Sequence, residues 1–115
     1  MINPRSTHSY VSPKLVEGYS LRKVKHNKSW LVQLATGTKR KVSEVVVECP
    51  IELNGLHTHA DLNVLPLGYY DVLIGMDWLE RHRAKVECYE KALECLDDEG
   101  LSRLVKGIPK HVSIR

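Results

Sequence analysis

The run Ile51-Glu52-Leu53-Asn54-Gly55-Leu56, continuing to Val64, constrains this chain more than any other segment. Asn-Gly is the preferred two-residue hairpin turn, because both central positions need positive φ and these two residues adopt it at least cost. Leu56-His57-Thr58-His59-Ala60-Asp61-Leu62-Asn63-Val64 then alternates well enough for a half-buried strand. Such a chain is committed to antiparallel β pairing at its centre. The flanks extend that reading. Trp30–Leu34 is apolar and β-prone, Ala35-Thr36-Gly37-Thr38 is a turn, and Val42–Cys49 is strand-like, which predicts a second hairpin. Ala84–Tyr89 and Ala92–Leu96 predict a third around Glu90-Lys91, and Asp71–Gly75 is a short apolar run of the kind buried at a sheet centre.

Helix signals are brief. Ser12-Pro13 ahead of Lys14–Gly18 predicts one turn of helix, with Ser12 as cap, Pro13 at the first position and Gly18 closing the end. Asp77-Trp78-Leu79-Glu80 predicts a second, capped by Asp77 with Glu80 reaching back. The expected class is mainly β with one or two short helices. With 115 residues the chain supports one core. Phe is absent, so Val, Leu and Ile have to fill most of the interior.

Charge and cysteine usage narrow the partners. A net charge of +3 is mild. Lys39-Arg40-Lys41 reads as a solvated stretch, and so does Arg22–Lys28, with a weak RNA contact as its runner-up; nucleic acid is therefore an unlikely partner by composition. Cys49, Cys88 and Cys95 form no CxxC pair and follow no signal peptide, which favours free thiols in a reducing, intracellular and cytoplasmic setting. Cys88 and Cys95 read as candidate neighbours across the third hairpin. No apolar run approaches the roughly 20 residues that span a bilayer, so no membrane partner is expected.

Residue types alone supply no catalytic constellation. Asp71 reads as a strand-start residue, Asp61 as solvent-facing, and Asp97-Asp98-Glu99 as a polar turn with at most a weak divalent-ion site. His57 and His59 share a strand face, yet no further ligands stand at diagnostic spacing, so neither a metal nor another cofactor is expected. The cysteines carry no Cys-His peptidase signature, and no nucleophile elbow is present.

One longer pattern goes further. Val64-Leu65-Pro66-Leu67, then Asp71-Val72-Leu73-Ile74-Gly75-Met76-Asp77-Trp78-Leu79, resembles the C-terminal part of the aspartic protease domain of gypsy-type LTR retrotransposon polyproteins. Leu34–Thr38 resembles that family's flap, and Thr7-His8-Ser9-Tyr10 resembles the residues directly after its active-site triplet. The resemblance implies a retropepsin-like closed antiparallel β domain over residues 1–100, with 101–115 an extended C-terminal connector. It implies dimers, each subunit giving one Asp-Ser/Thr-Gly triplet. The paired carboxylates share a proton; one activates water while the other protonates the peptide carbonyl. An extended peptide would lie under the flap residues Ala35, Thr36, Gly37 and Thr38. Thr7, Ile74 and Gly75 would support the active-site loop.

The same alignment puts Asn3-Pro4-Arg5 where the triplet belongs. An amide cannot take the proton of the attacking water. Pro4 offers no hydroxyl and no N–H, and Arg5 would bring two cations near a twofold axis. The expectation is a catalytic position without its catalytic group, in a domain that pairs as a homodimer or with an intact protease copy. Only Met1 and Ile2 precede the triplet position, where the resemblance implies about two more strands; an N-terminally truncated domain with an unpaired sheet edge is the corresponding expectation.

Overall fold

The computed structural model describes residues 1–34, 36–109 and 111–115. Its elements are β1 (Tyr10–Val11), α1 (Pro13–Gly18), β2 (Val24–Gln33), β3 (Lys39–Leu53), β4 (Leu56–Val64), β5 (Val72–Leu73), α2 (Met76–Arg81), β6 (Lys85–Glu87), β7 (Ala92–Leu96), β8 (Ser102–Lys106) and β9 (Ser113–Ile114). The mainly β class with short helices holds. One sheet runs in the order β2-β3-β4-β1-β5, with β9 also paired to β3; a second runs β6-β7-β8. Pairing is mixed: β1 lies parallel to β4 and antiparallel to β5.

The Asn54-Gly55 turn forms as expected, with φ of 46° and 92°, and pairs Leu53 with Leu56. The two central hairpins turn out to share a strand. β3 runs unbroken from Lys39 to Leu53, straight through Pro50. A register shift between Val46 and Cys49, with Glu48 at φ 49°, lets the strand bend there. The backbone N–H of Glu48 donates to Asp61 Oδ1 at 2.8 Å, so the exposed Asp61 braces this bulge from across the sheet.

Core packing follows the composition. Val11, Ile51, Leu53, Leu62, Ile74 and Leu93 are fully buried in one cluster with Trp78 and Leu79. A smaller cluster of Tyr10, Val42 and Leu65 is joined by Trp30, Val32, Leu34, Leu67 and Leu73. Both helices differ in detail from the sequence reading. Ser12 caps α1 by accepting from Leu15 N, but Gly18 is its last residue and the turn to positive φ comes at Ser20. The cap of α2 lies two residues earlier than expected, at Gly75 instead of Asp77, with no side-chain cap bond. Asp77 is thereby freed for another task.

The tail is extended yet integrated. β8 pairs along its length with β7, and β9 pairs with β3 through Ile51 and Ile114. Val105, Val112 and Ile114 are buried, so the segment contributes to the core rather than leaving it. The third hairpin forms as β6 and β7, but Cys95 lies opposite Arg103 of β8, and Cys88 is exposed beyond the end of β6. Those two thiols are not cross-hairpin neighbours, because the turn residues take Cys88 out of the ladder.

Candidate active-site loop

The segment before β1 folds back on the strand that ends in Ile74-Gly75. Ile2 bridges Ile74 in parallel; Ile74 N donates to Met1 O at 2.8 Å, and Asn3 N donates to Ile74 O at 2.8 Å. On the opposite edge Leu73 pairs with Tyr10. Residues 72–74 therefore lie between the incoming chain and β1, and residues 3–9 form the loop that joins those two flanks.

That loop is a built structure. Arg5 N donates to Asn3 Oδ1 at 3.0 Å, and Ser6 N donates to Asn3 O at 3.1 Å. An aspartate at this position could make the same turn through its carboxylate. Asn3 is half-buried, while Pro4 and Arg5 are exposed. Arg5 is absent from the positive-φ residues, so an ordinary side chain fits the backbone here and the glycine's conformational freedom is not needed.

The loop rests on the start of α2. Met76 N donates to Ser6 O at 2.7 Å and Asp77 N to Thr7 O at 3.0 Å, which satisfies two of the helix's otherwise unpaired first N–H groups. Asp77 closes the arrangement: Ser9 N donates to its Oδ2 at 3.0 Å, Ser9 Oγ to its Oδ1 at 2.6 Å, and Trp78 N also reaches Oδ1 at 2.7 Å. The fully buried Ser9 Oγ also accepts from Gly75 N at 2.9 Å. Gly75 is required for this approach, because a Cβ there would press on the His8 carbonyl. The structure thus brings Asn3, Thr7, Ile74 and Gly75 together.

Sequence reasoning missed the Ser9–Asp77 link altogether. Its one trace is the Asp after the apolar run, which the residue type alone assigned to capping. Also missed was a cluster of tilted aromatic rings that includes the loop's His8: Trp30 sits 4.9 Å from both the His8 and His26 rings, and His26 Nε2 meets Asn63 Oδ1 at 2.6 Å.

The β2–β3 turn closes on itself. Leu34 N donates to Thr38 O at 2.8 Å, Gly37 N to Leu34 O at 2.9 Å, and Gly37 takes φ 87°. Thr36, Gly37 and Thr38 make this turn; Ala35 lies outside the described residues. Val32 and Leu34 pack with Leu67, on the loop after β4, and Leu73, so the turn's inner flank belongs to the cluster beside the active-site loop.

Other candidate groups have structural occupations. Asp71 gives its carbonyl to Ser12 N at 2.8 Å. Asp97 accepts from the N–H groups of Glu99 and Leu101 and from Arg103 Nε, each at 2.9 Å. The Leu101 N–H and the Arg103 guanidinium hold its carboxyl below the usual range. Burial pushes the Asp98 carboxyl up, but hydrogen bonds from Thr58 and His59 more than offset this and leave it lowered. His57 pairs with Glu52 at 2.9 Å and His59 with Asp98 at 2.7 Å, so the two imidazoles face different partners. Among the described residues no group of three or more His, Cys, Asp or Glu is placed to hold a metal ion. No helix among them is long and apolar enough to cross a membrane.

A strand held between two flanks, a turn-forming Asn3 over a helix start, and a β turn packed alongside define a retropepsin-like domain. The profile of the retroviral aspartyl protease family matches residues 1–100, and the chain belongs to that family. The fold is similar to the crystal structure of the retroviral protease-like domain of Ddi1 from Leishmania major, at 18% identity and a TM-score of 0.60. That likeness covers 96% of this chain and 83% of the other. No curated protein matches at a significant level.

Proposed function

We propose that this chain is the retropepsin-like domain of a gypsy-type LTR retrotransposon polyprotein, with peptidase catalysis lost. Its remaining roles are dimerisation, as a homodimer or with an intact copy, weak binding of an extended peptide, or none. The observation that carries the reading is Asn3. Its side chain makes the turn that an aspartate would make, with Oδ1 fixed by Arg5 N at 3.0 Å, but it presents an amide. An amide oxygen is too weak a base to take a proton from water at ordinary pH.

The carboxylate bonded to this loop, Asp77, gives no substitute. Asp77 is tied to Ser9 and Trp78 by three hydrogen bonds, and a base held that way is a brace for the loop. Pro4 adds a further deficit, having no N–H with which to pair two such loops across a dimer axis. The alternative is an endopeptidase that works by pairing with an intact copy. That dimer would set one Asp against Asn3, leaving the dyad one carboxylate short.

The test is a peptidase assay at mildly acidic pH on the purified chain, with and without a transition-state-type aspartic protease inhibitor. No inhibitor-sensitive turnover is expected, and Asn3→Asp alone should not restore it because Pro4 and Arg5 remain. Inhibitor-sensitive turnover by the parent chain would overturn the loss of catalysis. Substantial turnover by Asn3→Asp would show that the Pro4-Arg5 context matters little.

A further inference from the structure

The two basic segments that look separate in sequence lie on one hairpin. Between residues 22 and 41 there are seven Lys and Arg and no Asp or Glu; the other ten cations and all fourteen acids lie elsewhere. Residues 22–41 therefore carry +7 and the remainder of the chain −4, Glu44 and Glu48 of β3 belonging to that remainder. Register sets Lys39, Arg40 and Lys41 opposite Gln33, Val32 and Leu31, while Lys25, further along the same strand, lies opposite Glu44. All seven cations are exposed. Among the described residues one ion pair reaches the set, Lys23 to Glu44 at 3.7 Å. Repulsion among the rest is tolerated only because solvent screens it.

The shape is as particular as the charge. β4 pairs with β3 only from Val45 onward, so Lys25–Gln33 and Lys39–Glu44 form a two-stranded ribbon whose inner face, with Trp30, Val32 and Val42, packs on Tyr10, Leu65 and Leu73. Cross-strand partners share a face, which puts Leu31, Gln33, Lys39 and Lys41 together on the face opposite the buried Val42. Leu31 is 66% exposed there, directly across from Lys41.

We infer that this ribbon is a docking surface for double-stranded DNA, engaged mainly through phosphates. The major groove of B-form DNA, about 12 Å wide, admits a two-stranded β-ribbon, whereas the deep, narrow groove of A-form RNA does not. A single strand is the poorer fit. Its sequence-tolerant binding needs aromatic platforms, and the ribbon's one aromatic ring, Trp30, is already flanked by the His8 and His26 rings. This surface does not depend on the fate of the Asn3 site.

The experiment is fluorescence anisotropy of the full chain with a labelled 20-base-pair DNA of arbitrary sequence, titrated in 50 to 200 mM KCl. The comparison probes are the single strand, a double-stranded RNA of equal length, and polyglutamate. Binding in the micromolar range at low salt is expected. If about four phosphates are neutralised, the log–log salt slope is about −3.6, a weakening on the order of a hundredfold across that range. K39Q/R40Q/K41Q should reduce the slope by about 2 to 3, and K25Q/K28Q, on the other strand, by about 1 to 2. K85Q/K91Q/K106Q, of equal charge change but off the hairpin, should leave the slope unchanged. Circular dichroism of each variant verifies folding, and the K25Q/K28Q pair decides the matter if the triple variant unfolds. The inference is overturned by absent or salt-independent binding, by equal losses in the off-hairpin variant, or by tighter binding of polyglutamate, single strand or double-stranded RNA.

Discussion

Gly75→Ala should be among the most damaging single-methyl additions in this molecule. Gly75 has an ordinary extended backbone at φ −106° and ψ −168°, so conformational freedom is not at issue. The obstacle is space. A Cβ would press on the His8 carbonyl oxygen and lie 2.7 Å from both the His8 carbonyl carbon and Ser6 O, all backbone atoms that cannot rotate aside. Overpacking of this kind costs about 1–3 kcal/mol. Relief would lift the 6–9 loop off α2 and loosen the bonds from Met76 N, Asp77 N and Gly75 N, each worth about 1 kcal/mol. With two of the three bonds lost, the total of about 3–5 kcal/mol is a large share of the ~5–15 kcal/mol that holds a domain of this size. At roughly 4 °C per kcal/mol, the melting temperature should fall by about 12–20 °C. Urea unfolding and calorimetry measure it, with Gly18→Ala as control. That glycine ends α1 with no atom within 4 Å of the place an added methyl would take, and alanine there should be neutral or stabilising by up to about 1 kcal/mol. If Gly75→Ala stays within about 1 kcal/mol of the parent, the loop does not bear on α2 as described.

Two further outcomes test the same architecture. Ser9→Ala removes the hydroxyl that accepts from Gly75 N and donates to Asp77, leaving a buried N–H unpaired; a loss of about 1–3 kcal/mol is expected, read as a shift in urea midpoint at constant m. Asp97 is held below the ordinary aspartate range in the folded chain. Its contribution is therefore fully present above the unfolded value of about 3.9 and lost as pH falls through the lower folded value, since the unfolded state then binds more protons. Unfolding curves at pH 7, 4.5 and 3 should show Asp97→Asn less stable than the parent at pH 7, with a shallower decline into acid.

Local features were readable from neighbouring residues. Asn54-Gly55 makes its turn because positive φ is a property of those two residues, and Ser12-Pro13 starts a helix because capping acts over three positions. In the apolar Val72–Ile74 run Val72 and Ile74 are buried and Leu73 partly so, as its composition requires. Legibility ended where residues distant in sequence meet. Cys88 looked like a partner for Cys95 until the register was set. Asp77 looked like a cap because capping was the only task its neighbours could offer. Its actual partner, Ser9, is 68 positions away, and the loop reaches it only because Gly75 lets the two backbones touch.

The sequence by itself determined the β class, the family pattern and the identity of the residue at position 3, since each depends on side-chain type in order. Only the tertiary structure decided that Asn3 keeps a structured turn over α2, that the tail adds a strand to each sheet, and that two modest basic runs fall on one hairpin. Strand register does this: shifting a pairing by one residue turns every side chain to the other face, so which charges share a surface is a property of the ladder, not of any segment.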